Sequence, residues 1–254
     1  MGDITFYNEI EGLQVWQIDE CPSTFQILDL VSTPNSSAKA VFTFNQTDGK
    51  GQEGRLWESK SESNLAYSLR FPLNSNNGGQ WPTLVNMTLS MACARAVASF
   101  VPKELKIKWP NDFLIENRKV AGLLMKIVNI GNERYFELGL GVNVNQKDWP
   151  SSLPFASSLT NFTSETISLE KVAQKISEEL ALAIVDLEYL NNEAVLQDYN
   201  NWLWKRNMEV ELSLTDNNTV AGILKGVNRT GQISIEIGGQ SCDFHLGQAR
   251  LLIK

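Results

Sequence analysis

Four short stretches of this sequence carry residue types that could hold a phosphate or another polar ligand. The first is Gly49-Lys50-Gly51-Gln52-Glu53-Gly54-Arg55, directly after a strand-like run. Its glycines let the backbone approach a ligand and turn amide N–H groups toward an anion, and Lys50 and Arg55 add positive charge. The stretch fits a lid facing phosphate, and fits equally a flexible surface hairpin. Gly49, Gly51 and Gly54 have dinucleotide-turn spacing, but a strand pattern follows where that turn needs a helix, and the Gly-Lys-Ser/Thr of a P-loop is missing. The second is Lys108-Trp109-Pro110-Asn111-Asp112. A strand stops at a stiff Trp-Pro, which fixes the direction of the next two polar side chains. Asn-Asp also suits a plain turn. The third, Arg118-Lys119-Val120-Ala121-Gly122-Leu123-Leu124, opens a strand with a lysine and then turns small, which leaves room for a ligand or a close backbone. An exposed hairpin lysine is the plainer reading. The fourth, Gly139-Leu140-Gly141-Val142-Asn143-Val144-Asn145, clears one strand face with alternating glycines. Asn143 can pair with a flat polar ring through two groups, or the strand simply packs against a helix.

What remains of the composition narrows the chemistry. The chain has 254 residues with 22 Lys+Arg against 29 Asp+Glu, a net charge of -7. An acidic chain has no bulk attraction to nucleic-acid phosphates, so no nucleic-acid partner is expected. No apolar run approaches the roughly 20 residues that span a bilayer, and Met1 to Glu11 has no secretory pattern, so a cytoplasmic protein with no membrane partner is expected. Cys21, Cys93 and Cys242 are far apart, odd in number and in no metal-binding spacing. With His245 the one histidine, a His-based triad or His metal site is disfavoured, and lysine, arginine, carboxylate, amide and backbone groups must do the work.

These stretches need a sheet to hold them. Ala40–Phe44 and Asn64–Phe71 read as neighbouring strands joined by the glycine-rich loop. Gly78-Gly79-Gln80-Trp81-Pro82 reads as a turn before a helix reaching about Val101, with Leu84, Met87, Met91, Ala94 and Ala98 on one face. Leu105–Trp109 alternates like a strand and stops at Pro110, and Asp112–Glu116, Val120–Val128 and Arg134–Val144 then form an antiparallel meander, turning at Asn117-Arg118 and Gly131-Asn132. Ser168 caps a helix marked by Leu169, Val172, Ile176, Leu180, Ala183 and Leu187, and a shorter helix covers about Asn192 to Trp204. From Asn207 the pattern becomes short alternating strands with turns at Asp216-Asn217-Asn218, Thr230-Gly231 and Gly238-Gly239. The expected organisation is an α+β domain over 1–206 and a small β module over 207–254.

Taken in order, the stretches resemble the biotin protein ligases, and the resemblance covers nearly the whole chain. That family has a Ser-Thr pair, a glycine-rich basic loop ending near a Trp, Lys-Trp-Pro-Asn-Asp, Lys-x-Ala-Gly-Ile/Leu-Leu and Gly-x-Gly-x-Asn. Here these are Ser23-Thr24, Gln46 through Trp57, Lys108 through Asp112, Lys119 through Leu124, and Gly139 through Asn143. The resemblance implies a mixed, largely antiparallel sheet with helices, like the class II synthetase core, and a C-terminal SH3-like barrel. It implies biotin contacts from Ser23, Thr24, Phe25, Gln46, Lys50, Gly51, Gln52 and Lys119. It implies nucleotide contacts from Arg55, Trp57, Asn111 and Asn143, and catalytic roles for Lys119, Lys50 and Asp112, the last on the acceptor lysine. Phe25 stands where the family often has Asn, and Lys50 and Gln52 where it often has Arg. Lysine keeps the charge without the bidentate fork, and glutamine loses the charge.

The implied reaction joins biotin to ATP, with Mg²⁺ carried by the nucleotide and no metal ligand assigned to the protein. The biotinyl-adenylate then passes biotin to a lysine of a biotin carboxyl carrier protein. Only about 20 residues precede Ser23, too few for the helix-turn-helix of the repressor branch, so a ligase without repressor function, monomeric or homodimeric, is expected. A lipoate or octanoate ligase of the same fold, or a binding module without catalysis, are the alternatives.

Overall fold

The meander between Leu105 and Asn143 forms because its apolar residues alternate, and the rest of a large sheet is built onto it. The structure is a computed structural model and describes residues 2–32, 37–73, 81–215 and 218–253. In chain order the elements of the first part are β1 (Ile4–Ile10), β2 (Leu13–Ile18), α1 (Thr24–Val31), β3 (Lys39–Thr43), β4 (Asn64–Pro72), α2 (Trp81–Ala98), β5 (Leu105–Lys108), β6 (Asp112–Ile115), β7 (Arg118–Ile130), β8 (Glu133–Asn143), α3 (Leu169–Asp186) and α4 (Asn192–Trp202). The strands make one eight-stranded sheet in the order β1-β2-β3-β4-β8-β7-β6-β5. Among the described strands only β2 and β3 pair in parallel, as the crossover through α1 requires.

The two faces of this sheet do different things. Leu65, Tyr67, Leu69 and Phe71 of β4 and Phe136, Leu138, Leu140 and Val142 of β8 are buried in the main core. On that side Tyr67 Oη meets Ser177 Oγ of α3 at 2.9 Å. Ser168 caps α3 as expected, its Oγ accepting from Lys171 N. The opposite face bears three cross-strand rows. Ala66, Gly141, Gly122 and Asp112 stand side by side across β4, β8, β7 and β6. Next come Ser68, Gly139 and Leu124, and then Arg70, Glu137 and Lys126. The first two rows are small or neutral, Asp112 at the rim apart, and the third is charged.

Three elements differ from the sequence expectation. The hairpin β1–β2, turning at Glu11-Gly12 with positive φ at both residues, and helix α1 were not foreseen. Helix α2 begins at Trp81-Pro82 and ends at Ala98, short of Val101. The expected turn residues Gly78, Gly79 and Gln80 lie outside the described residues, as do Asp216 and Asn217.

The C-terminal part consists of β9 (Glu209–Leu214), β10 (Thr219–Val227), β11 (Ile233–Ile237), β12 (Gln240–Phe244) and β13 (Ala249–Leu251). They pair antiparallel in the order β12-β11-β10-β9-β13. A register shift between Leu224 and Gly226 bends β10. The expected barrel is not closed, because the three-residue β13 pairs with β9 and leaves β12 at the other edge. This sheet is bonded to the first part: Trp109 Nε1 donates to Gly231 O at 3.0 Å, and Asn200 both donates to Val227 O and accepts from Val227 N.

The charged row yields a stability prediction. Glu137 is 1% exposed and bonds Arg70, while Lys126 Nζ stands 2.8 Å from its other oxygen. Arg70, itself buried, also reaches Asp29 at 2.5 Å and Leu28 O on α1. Removing the central carboxylate strands a buried guanidinium. Glu137→Ala is expected to cost about 3 kcal/mol in urea unfolding, whereas Asp29→Ala, whose carboxylate faces solvent, costs about 0–1 kcal/mol.

Candidate active site

Over the two uncharged rows lies a cavity of about 690 Å³. Its lining contains every site residue expected from the sequence, drawn from segments up to 120 positions apart in the chain (Ser23 to Asn143). The roles given to those residues are a separate matter from their placement.

One end is polar. Ser23 precedes α1, so Thr24 and Phe25 sit in its first turn. Gln46 Oε1 accepts from Thr24 N at 2.9 Å and from Thr24 Oγ1 at 3.3 Å. Thr24 Oγ1 also meets Ser68 Oγ at 2.7 Å. These bonds leave the amide nitrogen of Gln46 and the hydroxyl of Ser23 as groups that can read the edge of a polar ring.

The other end is charged. Lys119, at the start of β7, lies 2.6 Å from Asp112 Oδ1, and its Nζ stands 5.2 Å from the centroid of the Trp57 ring. Lys108 Nζ approaches Asp112 from the other side at 3.6 Å. Asn111 Nδ2 donates to Leu123 O, which ties the Asn-Asp corner to β7. Asn143 Nδ2 donates to Ser157 O and Lys119 O, while its Oδ1 is buried with no partner among the described residues. The loop bearing Lys50, Gly51, Gln52 and Arg55 borders the same cavity. It is tied down by Gly51 N to Arg55 O at 2.7 Å and Trp57 N to Gly49 O at 2.8 Å. Lys50 itself is largely exposed beside Asp48 at 3.6 Å.

The small residues of β7 and β8 have a definite use, and it corrects one expectation. The space above them is taken by the chain's own aromatic rings. A Cβ on Gly141 would fall 2.3 Å from Trp57 Cε2, and one on Gly122 3.0 Å from Trp57 Cζ3. A Cβ on Gly139 would fall 2.6 Å from the Phe25 ring. Glycine there lets indole and phenyl lie close on the sheet as the cavity's own lining.

Burial holds Lys108 apart from the other lysines. Desolvation pushes its pKa down from 10.5, opposed by Asp112 and reinforced by Arg250 and Lys119. Between the folded and unfolded pKa values the unfolded chain binds more protons, so stability rises with pH there, and the buried ammonium is costliest below that window. Lys108→Met, which leaves Lys119 to balance Asp112, is therefore expected to stabilise the fold by about 1 kcal/mol near neutral pH. In thermal melts at increasing pH, the gain over wild type should shrink as 10.5 is approached. A gain that grows with pH would refute the burial argument.

Sequence reasoning missed two walls. Trp149, Ser152, Phe155 and Ala156 line the cavity from the segment between β8 and α3, joined to β7 by Lys119 N to Phe155 O and Ser157 N to Lys119 O. The aromatic and proline content of Trp149-Pro150 and Pro154-Phe155 was the available signal. The second wall is β13 with Arg250, together with Gln248 just before it and Thr215 just past the end of the neighbouring β9. Nothing local in those residues marked them. Among the described residues no group of three His, Cys, Asp or Glu could hold a metal ion, and no helix is long and apolar enough to cross a membrane.

Comparison with known proteins points one way. Residues 18–143 match the biotin/lipoate A/B protein ligase family. The biotin–[acetyl-CoA-carboxylase] ligase of Mycobacterium tuberculosis is 25% identical over 201 residues, 78% of this chain and 73% of that protein. The bifunctional ligase/repressor BirA of Escherichia coli is 24% identical over 238 residues, 91% of this chain and 72% of that one. The biotin protein ligase of Aquifex aeolicus, solved with biotin and ATP, superposes with a TM-score of 0.76 at 22% identity, covering 94% of this chain and 99% of that chain. At that identity the superposition establishes a shared fold.

Proposed function

We propose that this chain is a member of the biotin/lipoate A/B protein ligase family, whose model matches residues 18–143, and that it activates biotin with ATP and transfers it to a lysine of a biotin carboxyl carrier protein. One observation carries this: a single cavity has a neutral hydrogen-bonding end at Thr24 and Gln46 and a cationic end at Lys119. A bicyclic urea with a carboxylate tail has that same division. The names of the similar ligases favour biotin over lipoate within the family.

On this reading Ser23, Thr24 and Gln46 bind the ureido ring, and the tail runs over Trp57 to Lys119. A carboxylate oxygen attacks the α-phosphorus of ATP, an O–P bond forms, and pyrophosphate leaves with the electrons of the broken bond. Charge gathers on non-bridging oxygens, where Lys119, Lys50 and loop amides lower its energy. Magnesium enters as part of the nucleotide substrate. Gln52 brings no charge, so Lys50 and Arg55 supply the loop's share. Asn111, Asn143 and Trp57 sit on the nucleotide side. The acyl-adenylate is shielded from water by the Lys50–Arg55 loop and the Trp149–Ala156 segment. The carrier's lysine amine then attacks the acyl carbon, AMP leaves, and Asp112 takes the amine's proton. The reaction belongs in the cytoplasm, in keeping with three free thiols of which Cys21 and Cys93 are buried.

The test is exchange of labelled pyrophosphate into ATP. Exchange should depend on biotin and be far weaker with lipoate or octanoate. Equal exchange with all three acids would overturn the substrate assignment, and none with any acid would overturn the activity.

A further inference from the structure

Phe25 lies where the cavity floor changes from neutral to charged. Its ring covers Gly139 in the Ser68–Gly139–Leu124 row. Beyond it the next row is Arg70, Glu137 and Lys126, and none of these three reaches the cavity, while Phe25, Ser68, Gly139 and Leu124 all line it. The phenyl ring is the partition between the two. It is also held in place. Lys126 Nζ sits 4.5 Å from its centroid on the far side and is itself held 2.8 Å from Glu137. A substituent entering from the cavity that pushed the ring back would have to displace Lys126 from a cation–π contact and from its ion pair with a buried carboxylate.

We propose that Phe25 ends the acyl pocket and sets the largest ring system the enzyme accepts. The inference rests on the biotin reading above, because Phe25 follows Thr24 and so lies at the end assigned to the ureido and thiolane rings. A polar side chain at this position would add a hydrogen bond. Phenyl instead offers a fixed apolar surface, so discrimination here is by shape. A filled volume rejects an added methyl-sized group by roughly 10–200-fold.

The experiment measures biotin-dependent pyrophosphate exchange with biotin, N-methylbiotin and biotin sulfone, comparing kcat/KM for each enlarged acid with that for biotin. In wild type the ratio should be low. In Phe25→Ala it should rise by roughly 10–200-fold, with Phe25→Leu in between. A second pair approaches from below the ring. Gly139→Ala would place a Cβ 2.6 Å from the ring and drive it into the cavity, so exchange with biotin should fall, and adding Phe25→Ala to that variant should restore it. Unchanged ratios in both Phe25→Ala and Phe25→Leu, or no restoration in the double variant, would overturn the proposal. Failure of wild type to exchange with biotin would instead overturn the function itself, so the two outcomes are distinct. Should Phe25→Ala not fold, judged by circular dichroism, Phe25→Leu alone and Phe25→Leu added to Gly139→Ala decide the matter.

Discussion

Lys119→Ala is expected to lower the rate of acyl-adenylate formation by about 10²–10³-fold, the usual loss when one fixed donor to a developing oxyanion is removed. The ammonium has one strong partner, Asp112 at 2.6 Å, and rests against the Trp57 ring. Those contacts keep it inside the cavity without neutralising its remaining donors, since an ammonium has three. The side chain is one-third exposed, so its removal should change stability by only about 0–1 kcal/mol. Urea unfolding and single-turnover adenylation in the same preparation separate the two effects. Lys119→Arg should not rescue. The end of the lysine already lies 3.2 Å from where a Gly122 Cβ would stand, with the Trp57 ring 3.0 Å from the same point. A planar guanidinium is too wide for that gap, and its charge would be spread away from the reacting oxygen. A normal exchange rate in Lys119→Ala would remove the central cation from the mechanism.

The chemistry of the cavity was legible in the sequence because it depends on residue types at strand ends. Lys108 through Asp112 close one strand and open the next, and Lys119 begins the third, so a meander brings them together without long-range information. The glycines of β7 and β8 were equally visible as small residues. What lies upon them was not. Trp57 and Phe25 come from a loop and from the first turn of α1, and no local pattern says which distant ring will fill a gap in a sheet. Helix α1 was itself hidden. It has eight residues, no acidic residue in its first turn, and no side-chain bond from Ser23 to its end. Its position comes from Ile27 and Leu28 packing with Val41, and from Arg70 holding Leu28 O and Asp29. Propensity over so short a segment is weak beside such contacts. The hairpin β1–β2 was missed for a related reason: β1 is an edge strand whose residues are half-buried or exposed, so alternation is blurred. Curvature in the C-terminal sheet was beyond reach too, because strand lengths and one bulge decide whether a sheet closes, and alternation reports neither.

Asp112→Asn should separate the two half-reactions. A carboxylate that receives a proton from the acceptor amine contributes typically 10²–10⁴-fold to the step it serves. Asp112 is well placed to receive one, because it is 19% exposed at the cavity rim and fixed from both sides by Lys119 and Lys108. Asparagine keeps its shape and cannot accept the proton, so transfer from preformed acyl-adenylate should fall within that range. Adenylation should fall less, because Lys119 survives and gains freedom to follow the phosphate. There is a cost elsewhere. Lys108 is only 5% exposed and would lose its one counter-charge among the described ion pairs, so the variant should be less stable than wild type, and the more so below the pH at which Lys108 sheds its proton. Combining Asp112→Asn with Lys108→Met removes that penalty while leaving the transfer defect, which shows that the kinetic loss is not a consequence of unfolding. Single-turnover measurements of each half-reaction, with carrier protein as acceptor in the second, give the decision. Equal losses in both would mean that Asp112 acts by holding Lys119 in place, and that another group, or water, receives the proton.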